Sequence, residues 1–124
     1  MSALAPAIFV FEKSPRWESE LKRRLANGML RVRPSRSAAD VLALCREAPG
    51  SVVVIDLTTG PAEALQLLKG LLQSQVRSIV IAPSESDELE WPARELGALD
   101  FVSDRIGGDA LAEICRQALA GSNA

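Results

Sequence analysis

Short apolar runs, each followed by a stretch with helical spacing, set the rhythm of the chain: Ala7–Phe11, Leu30–Arg33, Ser51–Ile55, Ser78–Ala82 and Leu99–Ser103. The third and fourth contain VVVI and IVI, apolar without alternation, as a strand covered by helices on both faces requires. They are expected at the centre of a sheet. The second, MLRVR, alternates with arginine and reads as an edge strand, where charge discourages pairing with another chain.

The helical stretches between these runs carry start and stop signals. Ser14 is expected to cap the first helix with Pro15 at its first position, and Trp17, Leu21 and Leu25 then share one face. Ser37 followed by Asp40 resembles a capping box for the second helix, whose stripe is Ala38, Val41, Leu42 and Cys45 and which Pro49 and Gly50 end. Pro61 begins the third, with Leu65, Leu68, Leu71 and Leu72 as its core face. Pro92 interrupts the fourth, so that helix either starts at Trp91 or bends there. Asp109 is expected to cap the fifth, in which Leu111, Ile114, Cys115, Ala118 and Leu119 are apolar and Gly121 is the stop.

Strand-helix units with such short connections predict a parallel sheet with right-handed crossovers and helices on both faces, one domain over residues 1–124. In an open sheet of this kind a site lies at the carboxyl ends of the strands. That rule gathers Phe11–Ser14, Asp56–Gly60, Ala82–Glu85 and Ser103–Arg105 on one rim.

Composition narrows what the rim can do. The 124 residues carry 14 basic and 16 acidic side chains, a net charge of −2 that offers no basic field for nucleic acid or an acidic membrane surface. No apolar run approaches the roughly 18 residues of a membrane span, and Ala7–Phe11 lacks the basic start of a secretory signal, so a cytoplasmic location is expected. With no histidine and no tyrosine, a Ser-His-Asp or Cys-His nucleophile, a histidine metal centre and a histidine pH switch are excluded. Cys45 and Cys115 lie on apolar stripes and are expected as free core residues. The first strand-helix turn, FEKSPRW, has no glycine, and no phosphate-cradling glycine motif occurs elsewhere, which removes the dinucleotide and P-loop readings. An FMN or small-ligand site is left with Ser14 as its one phosphate-side hydroxyl, while Trp17 belongs to a helix stripe.

The segment VVVIDLTTGPAEALQLLKGL resembles the third strand and third helix of a response-regulator receiver domain, and GALDFVSDRI resembles that family's segment through the fifth strand, with Gly97, Ala98, Phe101 and Val102 matching. The likeness runs through the whole chain. It implies a doubly wound five-stranded parallel sheet, a flavodoxin-like (βα)5 three-layer sandwich, and a role in two-component signalling or phosphorelay. In such receivers two carboxylates after the first strand, an aspartate after the third and a nearby carbonyl hold Mg²⁺. A hydroxyl residue ends the fourth strand and a lysine the fifth, and these hold and report the phosphoryl group.

Carried onto this chain, the resemblance makes Asp56 the phospho-acceptor position, with Thr58 offering its carbonyl. The acid pocket is degenerate: it reads Glu12 and Lys13. The switch positions are degenerate too, with Ala82 in place of the hydroxyl and Asp104 in place of the lysine, followed by Arg105. A cation about 4 Å from a divalent site opposes its binding by roughly 1 kcal/mol per unit charge even in bulk water and by more in a cleft. Weak Mg²⁺ binding is therefore expected, and no metal or other cofactor.

Each position also has a structural reading. An aspartate after a strand often caps a turn, Lys13 is either a solvated loop residue or the counterion of Asp56, and Asp104 and Arg105 fit a solvated turn. Ser84 and Ser103 are turn residues or replacements for the lost hydroxyl. Trp91, Arg94 and Arg105 are interface candidates on the side of the fourth helix and fifth strand, against the alternative that Trp91 folds onto its own helix. The expectation is a non-enzymatic, pseudo-receiver signalling module acting through protein-protein interaction, with another signalling protein or a second copy as partner. Its output would run through that partner or a longer parent protein. The alternatives are an active single-domain regulator phosphorylated on Asp56 with Mg²⁺, and the FMN or small-ligand binder.

Overall fold

The computed structural model describes residues 5–25, 31–35 and 37–121. Strands β1 (Ile8–Phe11), β2 (Val32–Ser35), β3 (Val52–Asp56), β4 (Arg77–Ala82) and β5 (Ala98–Ser103) form one parallel sheet in the order β2-β1-β3-β4-β5. Helices α1 (Trp17–Arg24), α2 (Ala38–Glu47), α3 (Pro61–Leu71), α4 (Glu90–Glu95) and α5 (Gly108–Gly121) alternate with them. β1, β3 and all but the first residue of β4 are buried, which explains their unbroken apolar runs. One face of the sheet packs Trp17, Leu21 and Leu25 of α1 against Leu111, Cys115 and Ala118 of α5; the other packs α2, α3 and Ala93 of α4. The result is a doubly wound three-layer α/β sandwich.

β2 is an edge strand as its arginines predict, but it sits two residues later than 30–33, and Leu30 lies outside the described residues. The pairing that sets its place runs from Ile8–Val32 to Phe11–Ser35 and takes in Pro34, which an edge strand tolerates because one side of its backbone needs no partner.

Several helix signals resolve differently. Ser37 caps α2 through Oγ, which accepts the Asp40 N–H at 3.3 Å, and Pro61 opens α3. Ser14 does not cap α1; the carboxylate of Glu12 does so from the end of β1. Asp109 does not cap α5 but lies inside its first turn, where Oδ1 accepts the Arg24 Nε–H at 2.7 Å. The core face of α3 is Ala64, Leu67, Leu68 and Leu71, rotated from the expected set, and Leu72 is 51% exposed. α4 starts at Glu90, after a 3-10 turn over Asp87–Leu89, so Pro92 falls in the first turn, where its missing N–H breaks no helical bond. Neither a start at Trp91 nor a bend is needed.

Candidate functional site

All five strands point their carboxyl ends to one rim, and β1 and β3 meet at its centre, where the strand order reverses. Two acidic side chains are buried there, Glu12 at 4% and Asp56 at 6% exposure. An acid inside a protein must have its oxygens satisfied, and here the surrounding chain does so.

Glu12 follows β1 and turns back toward the start of α1. Its Oε1 accepts the N–H groups of Arg16 at 3.1 Å and Trp17 at 2.9 Å, and Oε2 accepts that of Glu18 at 3.0 Å. Three of the N–H groups that a helix start leaves unpaired are thus met by one carboxylate, whose charge also suits the positive end of the helix.

Asp56 ends β3, and its Oδ1 accepts the backbone N–H of Thr58 at 2.8 Å and the Thr58 hydroxyl at 2.6 Å, which folds the following residues into a 3-10 turn. Oδ2 accepts the indole N–H of Trp17 at 3.2 Å. Trp17 lies on the α1 stripe with Leu21, 1% exposed, yet its polar edge reaches the central aspartate. A buried tryptophan needs a partner for its N–H, and that rule was the available sign of this contact. The stripe pattern alone concealed it.

Lys13 does not meet Asp56. Its Nζ lies 2.9 Å from Glu63 Oε1 of α3, in a pair about half exposed on both sides. The counterion reading is overturned because Glu63, in the first turn of α3, takes the Lys13 ammonium, while Asp56 is recessed. Arg16 had no role in the sequence reading. Its guanidinium lies over the Trp17 ring, 4.0 Å from the centroid, and Nη2 donates to the carbonyl of Asp104 at 2.6 Å. Such a planar cation both stacks on an aromatic face and donates at its edge.

On the far side of the rim, Ala82 is buried, paired with Ser103, and its carbonyl accepts the Asp104 N–H at 2.8 Å. Ser103 Oγ accepts the Arg105 N–H and Ser84 Oγ donates to Glu85, both contacts internal to turns. Arg105 is exposed. On α4, Arg94 pairs with Glu90 at 2.8 Å and donates to the Leu99 carbonyl of β5, while Trp91 is 70% exposed beside it and does not fold onto its helix.

A cleft of about 400 Å³ opens between the ends of β1 and β2, lined by Glu12, Pro15, Glu18, Pro34, Ser35 and Asp40. Its described lining holds carboxylates and no aromatic ring or cation, the reverse of what a flavin and its phosphate require. Among the described residues no cluster of three or more acidic, cysteine or histidine side chains is placed to hold a metal ion. Cys45 and Cys115 are free and buried, and burial pushes their thiols up to about 11 and about 12. Among the described residues no helix is long and apolar enough to cross a membrane.

No family model matches the sequence, and no curated protein matches it. Solved structures do match in fold. A response regulator from Thermotoga maritima superposes with a TM-score of 0.79 at 18% identity, over 94% of this chain and 99% of that one. The signal receiver domain of a Luxo repressor protein from Vibrio parahaemolyticus gives 0.80 at 17% identity, over 97% and 94%. The receiver domain of the TMAO respiratory system response regulator TorR gives 0.79 at 18%, over 94% and 98%. With five parallel strands in the order β2-β1-β3-β4-β5 and these likenesses along nearly its whole length, the chain has the fold of the response-regulator receiver domains.

Proposed function

We propose that this chain is a signalling module of two-component type that works through contact with another protein and carries no working phosphorylation switch. The observation that supports this most is the state of Asp56. Both of its oxygens accept hydrogen bonds from the protein itself, from Trp17 on one side and Thr58 on the other. An aspartate that attacks a phosphoryl group must present a free lone pair in line with it, beside a metal that neutralises the oxygens.

The donor set does not fit Mg²⁺. Glu12 spends both oxygens on the start of α1, and Lys13 stands next to it in sequence with its charge directed to α3. A hard cation needs six oxygen ligands, and the carboxylates here point at N–H groups. Ala82 has no hydroxyl to follow a phosphoryl group, and Asp104 would bring a like charge toward one. The module is therefore read as non-enzymatic, without metal or flavin, and cytoplasmic, where two buried free thiols stay reduced. The side of the molecule carrying Trp91, Arg94 and Arg105 is the surface offered to a second signalling protein or a second copy.

Incubation with Mg²⁺ and acetyl phosphate or phosphoramidate is expected to leave the intact mass unchanged. A stoichiometric phospho-adduct that disappears in Asp56→Ala would overturn the proposal in favour of an active regulator. Addition of beryllofluoride with Mg²⁺ should likewise leave the amide resonances of Asp87–Arg105 in place.

A further inference from the structure

The two buried acids share a mount. Glu12 holds the backbone N–H groups of Arg16 and Trp17, and Asp56 holds the side-chain N–H of Trp17. Between them the Arg16–Trp17 pair is fixed at both its main chain and its ring. Arg16 then lies over that ring and reaches across the rim to the Asp104 carbonyl, while Asp104 is tied by its own N–H to Ala82. The contacts run without interruption from the end of β3, through the start of α1, to the turn after β5 and back to the end of β4. They join the same strand ends that a phosphoryl group joins in a switching receiver, using only groups of the chain itself.

We propose that Arg16 and Trp17 are positioning residues: mounted on Glu12 and Asp56, they clamp the Asp104–Gly107 turn, and the exposed Arg105 within it, in one orientation. The proposal deepens the reading of a non-switching module and rests on it, but concerns a contact that exists without any phosphodonor. A planar cation held against an aromatic face keeps its donor edge directed, which a lysine at the same place would not do. The acid pocket thus becomes the base of an internal tether, and the β5–α5 turn its working end.

The test uses ¹H–¹⁵N spectra of the full chain, with no phosphodonor, for Arg16→Ala and Asp56→Ala. Arg16→Ala should shift the amides of Asp104–Gly107 and the Trp17 indole N–H together. Asp56→Ala should speed solvent exchange of that indole proton by about tenfold or more, the loss expected for one charge-assisted hydrogen bond. It should also shift Asp104–Gly107, which Asp56 does not touch in any contact described above. If Asp56→Ala perturbs Trp17 but leaves the turn unmoved, the tether is wrong. Arg16 is exposed and its removal leaves the core intact, so this variant decides even if Asp56→Ala does not fold. Unmoved indole and turn resonances in Arg16→Ala overturn the proposal. A phospho-adduct would count against the proposed function alone, since the tether is judged from these spectra.

Discussion

The molecule has two halves built on opposite principles. At β1 and β3 the polar groups are recessed and engaged: Glu12 and Asp56 are nearly inaccessible, and every oxygen of each accepts at least one protein hydrogen. At α4 and β5 the polar groups are superficial, with Arg94 and Glu90 in a solvated pair and Trp91 and Leu99 open to solvent. A chemical site needs unspent hydrogen-bonding capacity, and a contact surface needs exposed area. The recessed half gives much of its hydrogen-bonding capacity to structure, while the other half keeps its area exposed. Under the proposed function, the recessed strand ends serve as joinery.

This contrast can be broken by mutation, and the largest effect belongs to Glu12. Glu12→Ala removes the acceptor of three helix N–H groups, and should destabilise by about 2 to 3 kcal/mol in urea denaturation, combining a lost cap with buried unpaired donors. A cost below half a kcal/mol would mean that water reaches those donors and that the half is not recessed. Trp17→Phe keeps most of the ring volume and removes the N–H from Asp56; about 1 to 2 kcal/mol is expected by the same measurement.

A third effect is silent at neutral pH. Burial raises the thiols of Cys45 and Cys115 from 9.0 to about 11 and about 12, so each stays protonated in the fold after it would ionise in the unfolded chain. Stability from this source is complete below pH 9.0 and is lost as pH rises through the folded values. The melting temperature should therefore fall between pH 9 and pH 11, and Cys115→Ala should fall less steeply over that interval than the unaltered chain. Equal slopes would show that the Cys115 thiol is not shielded. The smallest effects belong to exposed groups: Lys13→Ala and Trp91→Ala should each change stability by no more than about 0.5 kcal/mol. A Lys13→Ala cost matching that of Glu12→Ala would show that Lys13 is bound into the recessed half after all.

The sheet was legible because burial on two faces writes unbroken apolar runs, and VVVI and IVI are found in β3 and β4. Edge placement of β2 followed from its arginines, although its register did not, since pairing with β1 decides which residues extend. The face of α3 was harder to read: Leu65, Leu67, Leu68, Leu71 and Leu72 cover more than one helical stripe, and only packing selects Leu67 over Leu72. At the site, sequence proximity misled. Ser14 sits where a cap is usually sought, but Glu12, two residues earlier in the same connection, has a longer side chain and takes three donors. For Lys13 the sequence suggests either solvent or Asp56, whereas its partner lies in a helix 50 residues on, a neighbour that no local pattern announces.

The two tryptophans occupy extremes of environment, one enclosed beneath an arginine and touching a carboxylate, the other 70% exposed on α4. Because the chain has no tyrosine, its ultraviolet emission is shared between these two indoles alone. Iodide added to the solution should quench the red-shifted light from Trp91 and spare that from Trp17. The molecule thus carries an optical label on each half: binding at α4 can be followed by the colour and quenching of one, while the other reports whether the centre stays shut.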